Sequence, residues 1–214
     1  MRRQLIVMLK EPRPGRVKTR LGREIGMTDA AWWFRHQAAR LIRRLEDPRW
    51  QLTLAVSPDH AGLASRIWPA HLPRHPQGRG DLGARMARIF RNAPPGPVLV
   101  IGADIPCIDR DHIARAFAAL GDHDAVLGPA PDGGYWLIGL KRVQAAPAGF
   151  LENVRWSGDA AMLDTLCSLG PLRTAHVDTL ADVDTAADLA VAASSSALRY
   201  PRRKQAAKRR SVDR

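Results

Sequence analysis

The chain has only two cysteines, Cys107 and Cys167, and no C-x-x-C pair. That excludes a disulfide-stapled scaffold and a zinc site built on paired thiolates, and both contexts read as buried and apolar. Long apolar runs are also missing. The first, Leu5 to Leu9, spans five residues before Lys10, too short for a signal-peptide core and far short of the ~20 residues that cross a bilayer. A reducing cytoplasm and no membrane segment are expected. Serine-nucleophile chemistry lacks its G-x-S-x-G signature, and neither cysteine has a basic setting or an evident His partner. A Walker A loop is absent as well: with Lys18-Thr19 as its Lys-Thr pair, the required glycines would fall at Val17 and Pro12.

Acidic charge is scarce, with 21 Asp+Glu against 33 Lys+Arg and a net charge of +12. A surplus of that size invites a nucleic-acid reading, so its placement matters. From Arg199 to Arg214 eight basic residues face one acid, which leaves +5 over residues 1–198. Nucleic-acid binding therefore rests on the tail alone, and a basic tail is more often a solvated appendage.

The 214 residues are 45% hydrophobic and 25% charged, the balance of a globular protein whose apolar surface one core can bury. We expect one domain over residues 1–192 and a basic, disordered tail over 193–214. The sequence carries no signature of an oligomeric state.

Gln4 to Leu9 reads as a buried strand that feeds a loop, Lys10 to Arg20, rich in Pro, Gly and basic residues. From Thr28 the spacing of Phe34, Ala38, Leu41, Ile42 and Leu45 predicts a helix. Leu52 to Val56 reads as a strand, and Pro69 to Pro76 as a loop whose prolines forbid a helical His71/His75 ligand pair. A helix follows with Leu82, Met86, Ile89 and Phe90 on one face and Arg85, Arg88 and Arg91 on another. Pro97 to Ile101 has the profile of a central parallel strand that delivers Asp104 to its carboxyl edge. Helix, strand, turn and strand then recur through Ile113 to Leu120, Ala125 to Leu127, Pro131 to Gly134 and Tyr135 to Leu140. A helix near Asp159 to Leu169, a strand Thr174 to Val177 and a helix opened by Asp182 to Thr185 complete the core. Strands alternating with helices predict an α/β fold with a mostly parallel central sheet.

Three carboxylates, Asp104, Asp132 and Asp184, fall at strand ends or turns, where such a sheet gathers ligand groups. The loop after the first strand sets Lys10, Arg13, Arg16, Lys18 and Arg20 around Gly15, a composition suited to a phosphate. Gly133-Gly134 suits either a close backbone approach to a ligand or a plain turn, and Tyr135 and Trp136 offer a stacking face. A basic loop plus strand-end carboxylates fits nucleotide-dependent transfer, in which Mg²⁺ or Mn²⁺ offsets the diphosphate charge.

Six ordered blocks carry a resemblance over residues 4–192: Lys10-x-Pro12-x-Pro14-Gly15-x-Val17-Lys18-Thr19-Arg20-Leu21, Gly80-Asp81-Leu82-Gly83-x-Arg85-Met86, Gly102-Ala103-Asp104-Ile105-Pro106, Leu127 to Leu140, Trp156-Ser157 and Asp182-Val183-Asp184-Thr185-x-x-Asp188-Leu189. Together they resemble the bacterial glycosyltransferase-like family associated with arsenosugar biosynthesis. That family is similar to the GT-A nucleotide-diphospho-sugar transferase superfamily and, more distantly, to phospholactate guanylyltransferase and the molybdenum-cofactor nucleotidyltransferases. The resemblance implies a Rossmann-like GT-A fold, a nucleotide-activated donor, a small-molecule acceptor and a divalent cation. It implies that Lys18 and Arg20 contact the nucleotide phosphates, that Asp104 holds the metal and that Asp184 helps to hold metal or phosphate; Lys10, Gly15 and Arg85 are expected in the same phosphate site. Asp104 and Asp132 would be catalytic, with Asp132 as general base, and Gly133, Gly134, Tyr135, Trp156 and Ser157 would border the acceptor. Glycosyl transfer is the leading expectation. Gly102 stands where an Asp-x-Asp motif would carry its first acid, which leaves nucleotidyl transfer with pyrophosphate release as the alternative.

Overall fold

The computed structural model describes residues 2–143, 145–156 and 158–199, so Ser157 and the chain beyond Arg199 lie outside the described residues. Along the chain run β1 (Gln4–Lys10), α1 (Thr19–Ile25), α2 (Met27–Leu45), β2 (Gln51–Ser57), α3 (Asp59–Leu63), β3 (Arg74–Pro76), α4 (Leu82–Asn92) and β4 (Val98–Ile101). There follow α5 (Arg110–Ala119), β5 (Ala125–Pro129), β6 (Tyr135–Leu140), α6 (Ala161–Leu169), β7 (Thr174–His176) and α7 (Ala186–Arg199). The seven strands form one sheet in the order β3-β2-β1-β4-β6-β5-β7. Every pairing is parallel except the two made by β6. This is the mostly parallel α/β sheet that the alternating pattern predicts.

Period-two alternation in β1 divides the core between the two faces of the sheet. Leu5, Val7 and Leu9 join Phe34, Ala38, Leu41, Ile42 and Leu45 of α2 and Ile113, Ala116 and Phe117 of α5 in one cluster. Ile6 turns the other way, toward Met86, Ile89 and Phe90 of α4 and Leu169 of α6. A third, smaller cluster of Leu21, Ala30 and Val183 ties α1 and α2 to the chain just before α7.

Several expectations are corrected. Leu82 is exposed, because the segment near Leu151 packs on Gly83 at that end of α4: a Cβ at Gly83 would lie 2.2 Å from the Leu151 carbonyl oxygen. Cys167 is exposed on the outer side of α6 and Cys107 is half-buried. Trp136 is core, not a stacking face, and its indole Nε1 donates to the Asp178 carbonyl at 2.8 Å. The Pro69–Pro76 stretch contains β3, an edge strand, which is where a proline is tolerated in a sheet. The last helix, α7, runs to Arg199. No described helix is long and apolar enough to cross a membrane.

Candidate nucleotide and cation site

Strand order reverses between β1 and β4, and a doubly wound sheet opens its ligand crevice at such a switch point, beyond the carboxyl ends of the strands. The β1–α1 loop brings Lys18 to that crevice and the chain after β4 brings Asp104. The segment between β7 and α7 adds Asp182 and Asp184, and the Val183 N–H donates to the Asp104 carbonyl at 3.3 Å, which couples the two carboxylate-bearing loops.

The geometry converges on one atom. Lys18 Nζ lies 2.6 Å from Asp104 Oδ2, 2.7 Å from Asp184 Oδ1 and 3.3 Å from Asp182 Oδ2. Arg20 Nη1 donates to the second Asp184 oxygen at 3.0 Å from the solvent side. The Lys18 side chain is only 7% exposed, while the three carboxylates are about a third exposed. Burial, the largest influence on Lys18, opposes its charge, but attraction to Asp104 and the hydrogen bonds it donates to Asp104 and Asp184 outweigh it, so the ammonium stays protonated well above the ordinary lysine range. Burial is also foremost at Asp182, and together with the neighbouring Asp104 and Asp184 it overrides Lys18 and pushes this carboxyl up to about 6. Asp184 is held below the usual range: burial would raise it, but bonds from Lys18 and Arg20 prevail. Lys18 adopts a left-handed backbone, φ 45° and ψ 49°, ahead of α1, a conformation that costs a non-glycine residue roughly 1–2 kcal/mol and is imposed by its surroundings.

The donor set suits a hard divalent cation, since carboxylate oxygens are the preferred ligands of Mg²⁺ and Mn²⁺. Asp104 and Asp184 both reach a single point from different loops, and Asp182 stands beside them. As they stand, however, their spacing is that of an ammonium ion: among the described residues no three metal-ligating side chains are gathered as an ion requires. The point that a cation would take is held by Lys18 Nζ.

The remaining expected residues are distributed along the same edge. Lys10 is exposed at the end of β1, and Gly15 takes φ +72° in the basic loop. Arg85 Nε donates to the Gly80 carbonyl at 2.9 Å, and Arg88 clamps the same loop through the Gln77 and Arg79 carbonyls. Asp132 is exposed at the end of β5, where its Oδ1 accepts from the Gly134 N–H at 3.0 Å. Gly133 has φ +83°, and a Cβ there would fall 2.4 Å from Asp159 Cα, so this turn admits glycine for steric reasons of its own. Tyr135 packs edge-on against Trp156 and its hydroxyl accepts from Thr165 Oγ1, while burial drives its phenol far above the ordinary range. The turn of Asp132 joins β5 to β6, and β6 pairs directly with β4, whose carboxyl end leads to Asp104, so both loops lie at the same edge of the sheet.

Two participants were missed in the sequence. Asp182 was passed over beside Asp184, although Asp-Val-Asp in an extended segment points both carboxylates one way and the buried Val183 the other. Gln77 is buried and donates to the Leu9 and Ala55 carbonyls at the ends of β1 and β2; its sequence context gave no signal.

A family model described as "uncharacterized protein conserved in bacteria (DUF2064)" matches residues 41–158, more than half of the chain. The chain belongs to that family. The match includes Arg85, Asp104, Asp132 to Tyr135 and Trp156, and it excludes Lys18, Asp182 and Asp184. Among solved structures, a provisionally named nucleotide-diphospho-sugar transferase from Desulfovibrio desulfuricans G20 is 29% identical with a TM-score of 0.79, over 99% of this chain and 92% of that one. The chain has this nucleotide-diphospho-sugar transferase fold. The manganese complex of Rv0371c from Mycobacterium tuberculosis H37Rv is 15% identical, with a TM-score of 0.56 over 91% of this chain and 100% of that one. A 4-diphosphocytidyl-2C-methyl-D-erythritol synthase from Anaerococcus prevotii is 11% identical, with a TM-score of 0.57 over 91% of this chain and 96% of that one. No curated protein matches the sequence significantly.

Proposed function

We infer that this protein is a nucleotide-dependent transferase, and that it moves a glycosyl group from a nucleotide-diphospho-sugar to a small acceptor. The observation that carries the reading is the convergence of Lys18, Asp104, Asp182 and Asp184 at the switch point of the sheet, beside a basic loop. The neighbours named as nucleotide-sugar transferase and cytidylyltransferase-type synthase support the general class, and the resemblance to the arsenosugar-associated family supports glycosyl transfer as the lead.

In this reading Lys10, Arg13, Arg16 and Arg20 receive the donor phosphates. Arg85 and Arg88 hold the loop before α4 in place. Asp104 and Asp184, with Asp182, would hold Mg²⁺ or Mn²⁺, whose charge would offset the negative charge that develops on the departing diphosphate. Asp132, held by its bond from Gly134, takes the proton from the acceptor hydroxyl. Two unpaired cysteines fit a reducing cytoplasm.

Gly102 favours a second reading. With glycine at 102, the strand end supplies one carboxylate, Asp104, and no Asp-x-Asp pair. In that case an acceptor phosphate attacks the α-phosphate of a nucleoside triphosphate, and pyrophosphate leaves. A thermal-shift panel of UDP-, GDP-, ADP- and dTDP-sugars beside GTP, CTP and ATP, with and without Mg²⁺ or Mn²⁺, tests both readings. A ligand at 100 times its Kd stabilises by about 2.7 kcal/mol. A shift with one nucleotide-sugar and release of nucleoside diphosphate supports glycosyl transfer. A shift with a triphosphate alone and release of pyrophosphate selects nucleotidyl transfer, and no shift with any of them overturns the class.

A further inference from the structure

The cluster at the switch point contains a contradiction that the reading above does not resolve. Lys18 sits in the loop expected to meet phosphate, yet its ammonium is buried among the three carboxylates expected to meet a cation. Asp184 is engaged on both oxygens, one by Lys18 and the other by Arg20. A dication and an ammonium cannot share a point bounded by these oxygens, because two positive charges ~3 Å apart repel strongly at the edge of a protein interior.

We propose that Lys18 Nζ and the divalent cation are alternative occupants of one carboxylate cage, completed by Asp182, so that entry of the cation expels Lys18 into the basic loop, where it binds the donor phosphate. This rests on the transferase reading. The four-carbon stem of lysine allows its head to swing while the backbone stays fixed, and Arg13 and Arg16 are exposed beside it in the same loop. With Lys18 in the cage, three carboxylates face one ammonium and Arg20, so a net negative charge is left to attract a dication. Once Lys18 is displaced, its charge adds to the loop that receives phosphate. By linkage, the cation tightens nucleotide binding and the nucleotide tightens cation binding by the same factor. Lys18 thus couples the two halves of the site.

The test is lysine acetylation of the full-length protein with sulfo-N-hydroxysuccinimide acetate, read by mass spectrometry at increasing Mn²⁺, with bound Mn²⁺ followed by electron paramagnetic resonance in the same samples. The chain has five lysines, and Lys141, whose ammonium donates to the Gly121 carbonyl at 2.6 Å, is the internal control. Lys18 should be protected without Mn²⁺ and become labelled about tenfold more at saturation, with Lys141 unchanged, a factor within the usual range of coupling between sites. Lys18→Met should bind Mn²⁺ about tenfold more tightly than the wild type. Arg20→Gln, which removes one charge from Asp184 without emptying the cage, should change affinity by less than about threefold. Lys18 still protected at full Mn²⁺ occupancy would overturn the exchange and leave the transferase reading intact. Absence of bound Mn²⁺ would overturn both the exchange and the cation assignment, whereas nucleotide binding in that same sample would preserve the donor site. Equal gains in Lys18→Met and Arg20→Gln would reduce the effect to simple charge and overturn the exchange.

Discussion

A lysine enclosed by three carboxylates neutralises repulsion that would otherwise force those groups apart, so the sign of its charge matters more than its contacts. Lys18→Glu places a fourth carboxylate in the cage and should destabilise the fold by about 3–5 kcal/mol, which denaturant unfolding would measure. The cost arises because the Lys18 side chain, although it belongs to a surface loop, is buried among three acidic partners. Asp182 gives a pH signature. Its folded value of about 6 exceeds its ordinary 3.8, so between those values the folded protein keeps a proton that the unfolded chain releases. That contribution to stability is fully present below about pH 4 and is lost as pH rises through 6. Asp182→Asn should therefore gain stability relative to the wild type between pH 4 and pH 7, measured by urea unfolding at each pH without added divalent cation. Asp104, Asp184 and Lys18 were legible as chemistry because each follows a strand or opens a helix. Their convergence was not, since it joins residues eighty or more positions apart.

At the scale of elements, the strands and long helices announced themselves through apolar periodicity, and their expected faces largely match the core. The misses have local causes. α3 and β3 are too short to show a period, and β3 exists because backbone bonds from Leu54 and Gln77 dock it beside β2. Trp136 looked available for stacking because it follows Gly133-Gly134-Tyr135, but alternation along β6 sends it into the core on one face of the sheet while Tyr135 packs against the core of the other. Gly83 shows that a position in a motif can be steric rather than chemical. Gly83→Ala would press a methyl group against the Leu151 carbonyl and Trp156, and overpacking of this kind should cost about 1–3 kcal/mol. Thermal unfolding should record that loss, and hydrogen exchange should localise it to residues 150–156 and the first turn of α4.

The whole molecule concentrates its positive charge at one end. Deleting residues 200–214 removes seven basic residues and one acid, and leaves α7 and its packing against α1 in place. The melting temperature should stay within about 1 °C, while any retention on duplex DNA should lose most of its steep salt dependence, since that slope counts the phosphates neutralised. Retention that keeps its slope after truncation would move the nucleic-acid contact onto the folded domain.

The path of the chain after β6 bears on the order in which the substrates of the proposed transfer would bind. Because β6 runs against its neighbours, the chain leaves it at the far edge and must travel back along the α4 face before α6 begins, delivering Phe150 and Leu151 to the core and Trp156 to the rim beside Tyr135. That return path is braced on Gly83, two residues beyond the Asp81 cap of α4 and next to the loop clamped by Arg85 and Arg88. In the proposed transfer, a donor that settled this loop would also settle the wall formed by Tyr135 and Trp156, where the acceptor is proposed to pack. The two substrates should add in a compulsory order, donor first, with the product that retains the nucleotide leaving last. Product-inhibition kinetics would show this as competition between that nucleotide product and the donor alone, and a random order would mean that the two halves of the edge move independently.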